Sequence, residues 1–62
     1  ISYELNFRLF ELLGEESHLI KAYNQVIHLS KQMNEELQNK FLSYHIQKGI
    51  IDNYKLLFPD KI

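Results

Sequence analysis

The sequence lacks cysteine and holds little glycine or proline, with two glycines and one proline among 62 residues. Without cysteine the chain can form neither a disulfide nor a thiolate zinc site. So few helix breakers, together with little threonine or valine, favour helices over a small sheet. No apolar run approaches the roughly 18 residues that span a bilayer, so we expect no membrane insertion.

An excess of one charge is also missing, because seven Lys/Arg stand against eight Asp/Glu and the formal net charge is −1. A nearly neutral chain with dispersed lysines lacks the basic surface that phosphate backbones attract, so we expect no nucleic-acid partner. The sequence opens on Ile1, and no signal-peptide pattern precedes the first apolar segment. We therefore expect an excised domain of a longer, intracellular protein.

The residue types that perform catalysis or bind metals are scattered. His18, His28 and His45 are separated by 10 and 17 residues, so no two imidazoles lie on adjacent turns as a helical zinc pair requires. Ser30 has no neighbour in sequence that would activate it, and we interpret it as a small residue that admits a close helix approach. The sequence predicts a non-enzymatic protein with no metal, no cofactor and no small-molecule substrate.

Apolar residues at helical spacing predict an all-α fold in a single domain, residues 1–62. The first helix covers about 2–13, with Ser2 as its N-terminal cap and Gly14 just beyond its end. The last helix covers about 51–58, with Leu57 facing inward, and ends at Pro59 because the residue before a proline leaves the helical region.

The segment 18–48 between them admits two interpretations. Ser17 can cap it, and Lys48–Gly49 is a reasonable stop. Its apolar steps of three and four fit one long helix, but the middle is more polar, which fits two helices broken near Asn24 or Met33–Asn34. The predicted architecture is a small helical hairpin or a three-helix arrangement, paired in an intertwined or antiparallel helical dimer.

The first predicted helix is apolar on more than one side. Its main face carries leucines with an aromatic beside them, which are Leu5, Leu9, Phe10, Leu12 and Leu13, while Phe7 lies on the other side. One hairpin cannot cover both sides, so we predict that this face binds a partner, either a second copy or another helical protein. The second segment would supply a complementary face, formed by Val26, Met33, Leu37 and Phe41. The alternative is that all these residues form one three-helix core.

Five short pieces of the N-terminal third follow a known order. They are Glu4-Leu5-Asn6, Leu9-Phe10, Leu12-Leu13, the Ser17-His18 turn and Ala22-Tyr23. Over about 4–26 the chain therefore resembles the LisH (Lis-homology) dimerisation motif. The resemblance implies short helices that pack as an intertwined antiparallel dimer. Arg8 stands where that family usually has an apolar residue, and Ser17 replaces its turn glycine.

A second resemblance concerns residues 26–34. This stretch is similar to the signature helix of the small sporulation aspartyl-phosphate phosphatases, which are helical hairpins acting on phosphorylated response regulators. Asn34 stands at the family's acidic position and supplies no carboxylate. The resemblance implies an alternative function, a hairpin regulator that contacts a response regulator through residues 30–34.

Overall fold

The computed structural model describes residues 2–61, which fold into four α-helices followed by a 3₁₀ turn. The helices are α1 (Tyr3–Leu13), α2 (Glu16–Ser30), α3 (Glu35–Ser43) and α4 (His45–Leu57), and the 3₁₀ turn covers Pro59–Lys61. The all-α prediction is confirmed, and the described residues contain no strand. α1 and α2 form a helical hairpin, and α3 and α4 complete the bundle, so residues 2–61 have the four helices expected from a broken middle segment and not a three-helix arrangement. No helix within 2–61 has both the length and the apolar character to cross a membrane.

The ends of α1 follow the sequence signals. The Ser2 hydroxyl accepts a hydrogen bond from the Leu5 amide at 3.3 Å, which satisfies one of the free N–H groups of the first turn. At the other end Gly14 adopts φ +71°, a left-handed conformation that residues with a Cβ avoid. Its amide donates to the Phe10 carbonyl at 2.8 Å. Both predicted boundaries of the first helix are therefore confirmed.

The long middle segment is broken at the second of the two predicted places. α2 begins at Glu16, so Ser17 lies inside the helix and does not cap it, and α2 ends at Ser30. Asn34 then caps α3, because its side-chain oxygen accepts from the Leu37 amide at 2.9 Å. An asparagine that can satisfy the first turn of a new helix is thus the local reason for the break near Met33–Asn34.

A second break occurs at Tyr44, whose extended backbone ends α3 and starts α4. The predicted stop at Lys48–Gly49 is wrong, since α4 runs through both residues. Gly49 serves packing here: a Cβ at this position would lie 3.2 Å from Cζ of Phe7. The missing side chain lets the Phe7 ring of α1 approach the α4 backbone. Pro59 does follow the end of α4, as predicted.

Three contacts fix the directions of the helices. The Asn6 amide donates to the Gln25 side-chain oxygen at 3.2 Å, and α1 and α2 form an antiparallel pair joined by two residues. The Gln47 amide donates to the Tyr3 hydroxyl at 3.1 Å, and Phe7, one turn further along α1, meets Gly49, two residues further along α4. α4 therefore runs in the same direction as α1 and antiparallel to α2.

The resulting bundle has two distinct ends. The closed end carries the start of α1, the end of α2, α3 and the start of α4, and there the Tyr3 ring meets the Phe41 ring edge-on at 6.2 Å. The open end carries the end of α1, the start of α2 and the end of α4. Between them lies a small core, formed by Phe7, Leu19, Ala22, Val26 and Ile50.

Candidate protein interaction surface

The two sides of α1 differ sharply in exposure. Phe7 and Asn6 face the bundle and are buried. On the other side the exposed fraction is 47% for Leu5, 81% for Leu12 and 58% for Leu13. Leu9 lies one turn from Leu5 and is half-buried. We call Leu5, Leu9, Leu12 and Leu13 the α1 leucine face.

The rest of the α1 circumference is charged. Glu4, Arg8 and Glu11 lie between the leucine face and the buried side, as the 3.6-residue period requires. The Arg8 guanidinium lies 3.4 Å from the Glu4 carboxylate, and both side chains are exposed. A pair of this kind contributes little to stability, but it keeps a polar border beside the leucines.

Phe10 occupies an intermediate position. Its ring is half-buried and stacks with the Phe7 ring at 6.4 Å between centroids. It therefore packs against the core of its own chain with one part of its surface, and the remainder is open at the edge of the α1 leucine face.

A second apolar surface lies at the closed end. Met33, Leu37 and Phe41 surround a shallow cavity of about 190 Å³ together with Lys40 and Tyr44. Leu37 and Tyr44 are exposed, whereas Met33 and Phe41 are half-buried. We call Met33, Leu37, Phe41 and Tyr44 the α3 patch. Tyr44 was missing from the predicted site. The break between α3 and α4 at Tyr44 could not be read from the sequence, because no glycine or proline marks it.

The prediction is wrong for Val26. Its side chain is fully buried in the core, because the middle of α2 is packed by α1 on one side and α4 on the other. Val26 therefore stabilises this chain and is not part of a free surface. The other predicted leucines of α1 form the α1 leucine face, Met33, Leu37 and Phe41 belong to the α3 patch, and Phe10 lies at the edge of the α1 leucine face. Leu12 and Leu13 lie at the open end, so they could meet the α3 patch only in another copy.

Two further leucines at the open end were missed by the sequence analysis. Leu56 is 79% exposed and Leu57 is 45% exposed on the last turn of α4. Leu57 had been expected to face inward. The available signal was the Leu56–Leu57 doublet itself, whose two side chains point about 100° apart on the last turn of the helix. The doublet repeats the pattern of Leu12–Leu13.

The side chains considered for catalysis make hydrogen bonds that stabilise the fold. The Ser30 side chain is buried, and its hydroxyl donates to the Ile27 carbonyl at 2.8 Å. The Gln38 amide donates to the Ser30 carbonyl at 3.2 Å, so α3 packs back on the end of α2. Asn34 is occupied as a helix cap. Among residues 2–61, no three His, Cys, Asp or Glu side chains converge as metal ligands would.

His18 is the histidine that lies closest to the bundle interior. It is half-buried, and its Nε2 atom lies 3.4 Å from the Glu15 carboxylate. It borders a cleft of about 370 Å³ between α1 and α2, which Asn6, Lys21, Asn24 and Gln25 also line. The Asn6–Gln25 hydrogen bond spans this cleft and ties the two helices together.

Comparison with known proteins gives no relative. The chain matches no family model, and neither a curated protein nor a solved structure shows significant similarity to it.

Proposed function

We propose that the chain is a non-enzymatic, LisH-like oligomerisation module that holds larger proteins together inside the cell. Its partner is a second copy or another helical protein, bound through the α1 leucine face, and the α3 patch provides a second docking surface. The observation that carries the proposal is the exposure of Leu5, Leu12 and Leu13 on a helix whose opposite side already supplies the core.

The energetic argument compares two quantities. Fully burying one leucine side chain is worth about 1.5–3 kcal/mol, so covering several of them on a partner gains several kcal/mol. The whole stability of a small domain is about 5–15 kcal/mol, and short chains lie at the lower end. Association through the α1 leucine face would therefore contribute a large fraction of the stability of the assembled module.

The arrangement of the N-terminal third supports the same function. The residues that resemble the LisH motif fold into α1 and most of α2, which form a tight antiparallel pair. Asn6 of the Glu4-Leu5-Asn6 piece is buried and holds α1 to α2 through Gln25. This bond fixes the rotation of α1, and with that rotation the leucines face outward.

Sedimentation equilibrium of the chain from about 10 µM to 1 mM tests the proposal, because this range covers weak and moderate association. We expect the wild-type mass to rise above that of one chain, and Leu12→Asp to abolish the rise because association would bury an unpaired carboxylate. Leu29→Asp is the matched control, since this leucine lies on the border of exposure outside both surfaces.

Circular dichroism of each variant confirms that the helices remain intact. A wild-type chain that stays monomeric over the whole range would contradict self-association. Equal loss of association in Leu12→Asp and Leu29→Asp, with both folded, would contradict the assignment to the α1 leucine face.

A further inference from the structure

Resting on the proposed function, we infer that the partner is a second copy of this chain, which docks open end to open end about a two-fold axis. In this arrangement Leu56 and Leu57 of α4 join Leu12 and Leu13 of α1 in one interface. α4 thus becomes part of the binding surface, although it lies outside the segment that resembles the LisH motif.

The helix directions place the four leucines at one end. α1 and α4 run in the same direction and are held at the same level by the Tyr3–Gln47 hydrogen bond. From that bond to Leu13 and to Leu57 each helix rises about 15 Å, since an α-helix gains 1.5 Å per residue. The last turns of α1 and α4 therefore lie at the same end of the bundle, and Leu12 and Leu56 on them are the two most exposed large apolar side chains of the described chain.

The charges at the open end make it complementary to itself. The corner between α1 and α2 carries Glu11, Glu15 and Glu16 and no lysine or arginine over 9–20. The end of α4 and the 3₁₀ turn carry Lys55 and Lys61 against Asp60. The α1–α2 corner thus carries three carboxylates, whereas residues 55–61 on the other side carry a net charge of +1.

A two-fold axis converts this asymmetry into attraction. Rotation places the acidic corner of one copy opposite the basic end of α4 in the other, and the reverse contact forms at the same time. The leucines between the charges then meet leucines of the partner. Such a contact closes on itself, so it gives dimers and not filaments.

The expected dimer is weak. A standard interface takes about 800 Å² from each partner, which is nearly a fifth of the 4493 Å² of accessible surface on this chain. Four partly exposed leucines cover less than that area. Interfaces below the standard size form transient complexes, and their charged borders make association weaker in high salt.

A charge-exchange experiment tests the docking arrangement. One variant combines Glu15→Lys with Glu16→Lys, and the other combines Lys55→Glu with Lys61→Glu. Each variant alone brings like charges together in both symmetric contacts, so we expect its dissociation constant to rise about tenfold or more. In an equimolar mixture both contacts regain opposite charges, and a heterodimer should form with near wild-type affinity. Sedimentation of one fluorescently labelled variant, titrated with the other, measures this recovery.

Two leucine variants separate this inference from the proposed function. End-to-end docking requires that Leu56→Asp weaken association about as much as Leu12→Asp, by about tenfold or more, while Leu5→Asp, two turns from the open end, has a smaller effect. If Leu5→Asp abolishes association and Leu56→Asp does not, copies pair side by side along α1, so the inference fails and the proposed function stands. A mixture of charge variants that remains monomeric also overturns the inference. A wild-type chain without any association overturns both.

Discussion

The two ends of the bundle are built from the same helices but finished differently. At the closed end α3 folds back on α2, the Phe41 ring covers Tyr3, and the Tyr3 hydroxyl accepts from the buried Gln47 amide. At the open end α1 and α4 end and α2 begins, and Leu12, Leu13, Leu56 and Leu57 remain exposed. The closed end also exposes Leu29, Leu37 and Tyr44, but the two most exposed leucines of the described residues, Leu12 and Leu56, lie at the open end. The described residues, 2–61, do not cover these leucines.

The contrast between the two ends predicts that the side chains just inside the open end are well packed. Leu19 lies on the second turn of α2 and is fully buried, whereas Leu12 on the neighbouring helix is the most exposed leucine. We expect Leu19→Ala to lower the free energy of unfolding by about 2–5 kcal/mol, because it removes a buried side chain and leaves a cavity. Leu12→Ala should change it by less than about 0.5 kcal/mol in the monomer.

Urea unfolding at low micromolar concentration, where the monomer dominates, measures both changes. In a domain this small Leu19→Ala reaches a large part of the total stability, so the folded fraction in water must be measured as well. Similar losses in the two variants would mean that Leu12 is covered by its own chain, and the contrast between the ends would disappear.

The hydrogen bond between Gln47 and Tyr3 allows a test of how well the closed end excludes water. In Tyr3→Phe the Gln47 amide loses its acceptor while its side chain stays buried. Leaving a buried donor unpaired costs about 1–3 kcal/mol, and we expect a loss of unfolding free energy in this range. Tyr44→Phe is the matched control because that ring is exposed, and it should have an effect within about 0.5 kcal/mol.

A loss in Tyr3→Phe no larger than that of Tyr44→Phe would show that water reaches Gln47 at the closed end. Association of the two variants gives a second comparison. Tyr3 belongs to neither the open end nor the α3 patch, so Tyr3→Phe should keep the wild-type dissociation constant, whereas Tyr44→Phe should change it only if the α3 patch takes part in association.

The sequence predicted those features whose cause is local. Ser2 and Gly14 bound α1 because a hydroxyl and a residue without a Cβ are what helix ends require. The α1 leucine face was predicted because Leu5, Leu9, Leu12 and Leu13 recur at helical spacing on one side of α1, with Phe7 on the other. All of these follow from a few neighbouring positions.

The features that sequence analysis missed depend on distant residues. Gly49 resembled a helix stop, but Phe7, 42 positions earlier, uses its missing side chain for packing. Val26 was predicted to lie on a partner-binding face, but it is buried because α4 packs against α2. The candidate surface grew for the same reason, since Leu56 joins Leu12 through helix directions that Tyr3 and Gln47 set.

Gly49→Ala has the smallest expected effect on the free energy of unfolding, and it tests how closely α1 packs against α4. Alanine is better than glycine in a helix interior by about 0.8–1 kcal/mol. The new Cβ, however, would lie 3.2 Å from Cζ of the buried Phe7 ring, and overpacking of this kind costs about 1–3 kcal/mol. Because Phe7 lies in the core and cannot move outward freely, we expect the clash to exceed the propensity gain, with a net loss of about 1 kcal/mol in the free energy of unfolding.

Lys48→Ala, an exposed change one residue earlier, should change the free energy of unfolding by less than about 0.5 kcal/mol, and urea unfolding measures both variants. A stabilised Gly49→Ala variant would mean that the Phe7 ring can move aside without loss, so α1 and α4 would not be closely packed where Phe7 meets α4.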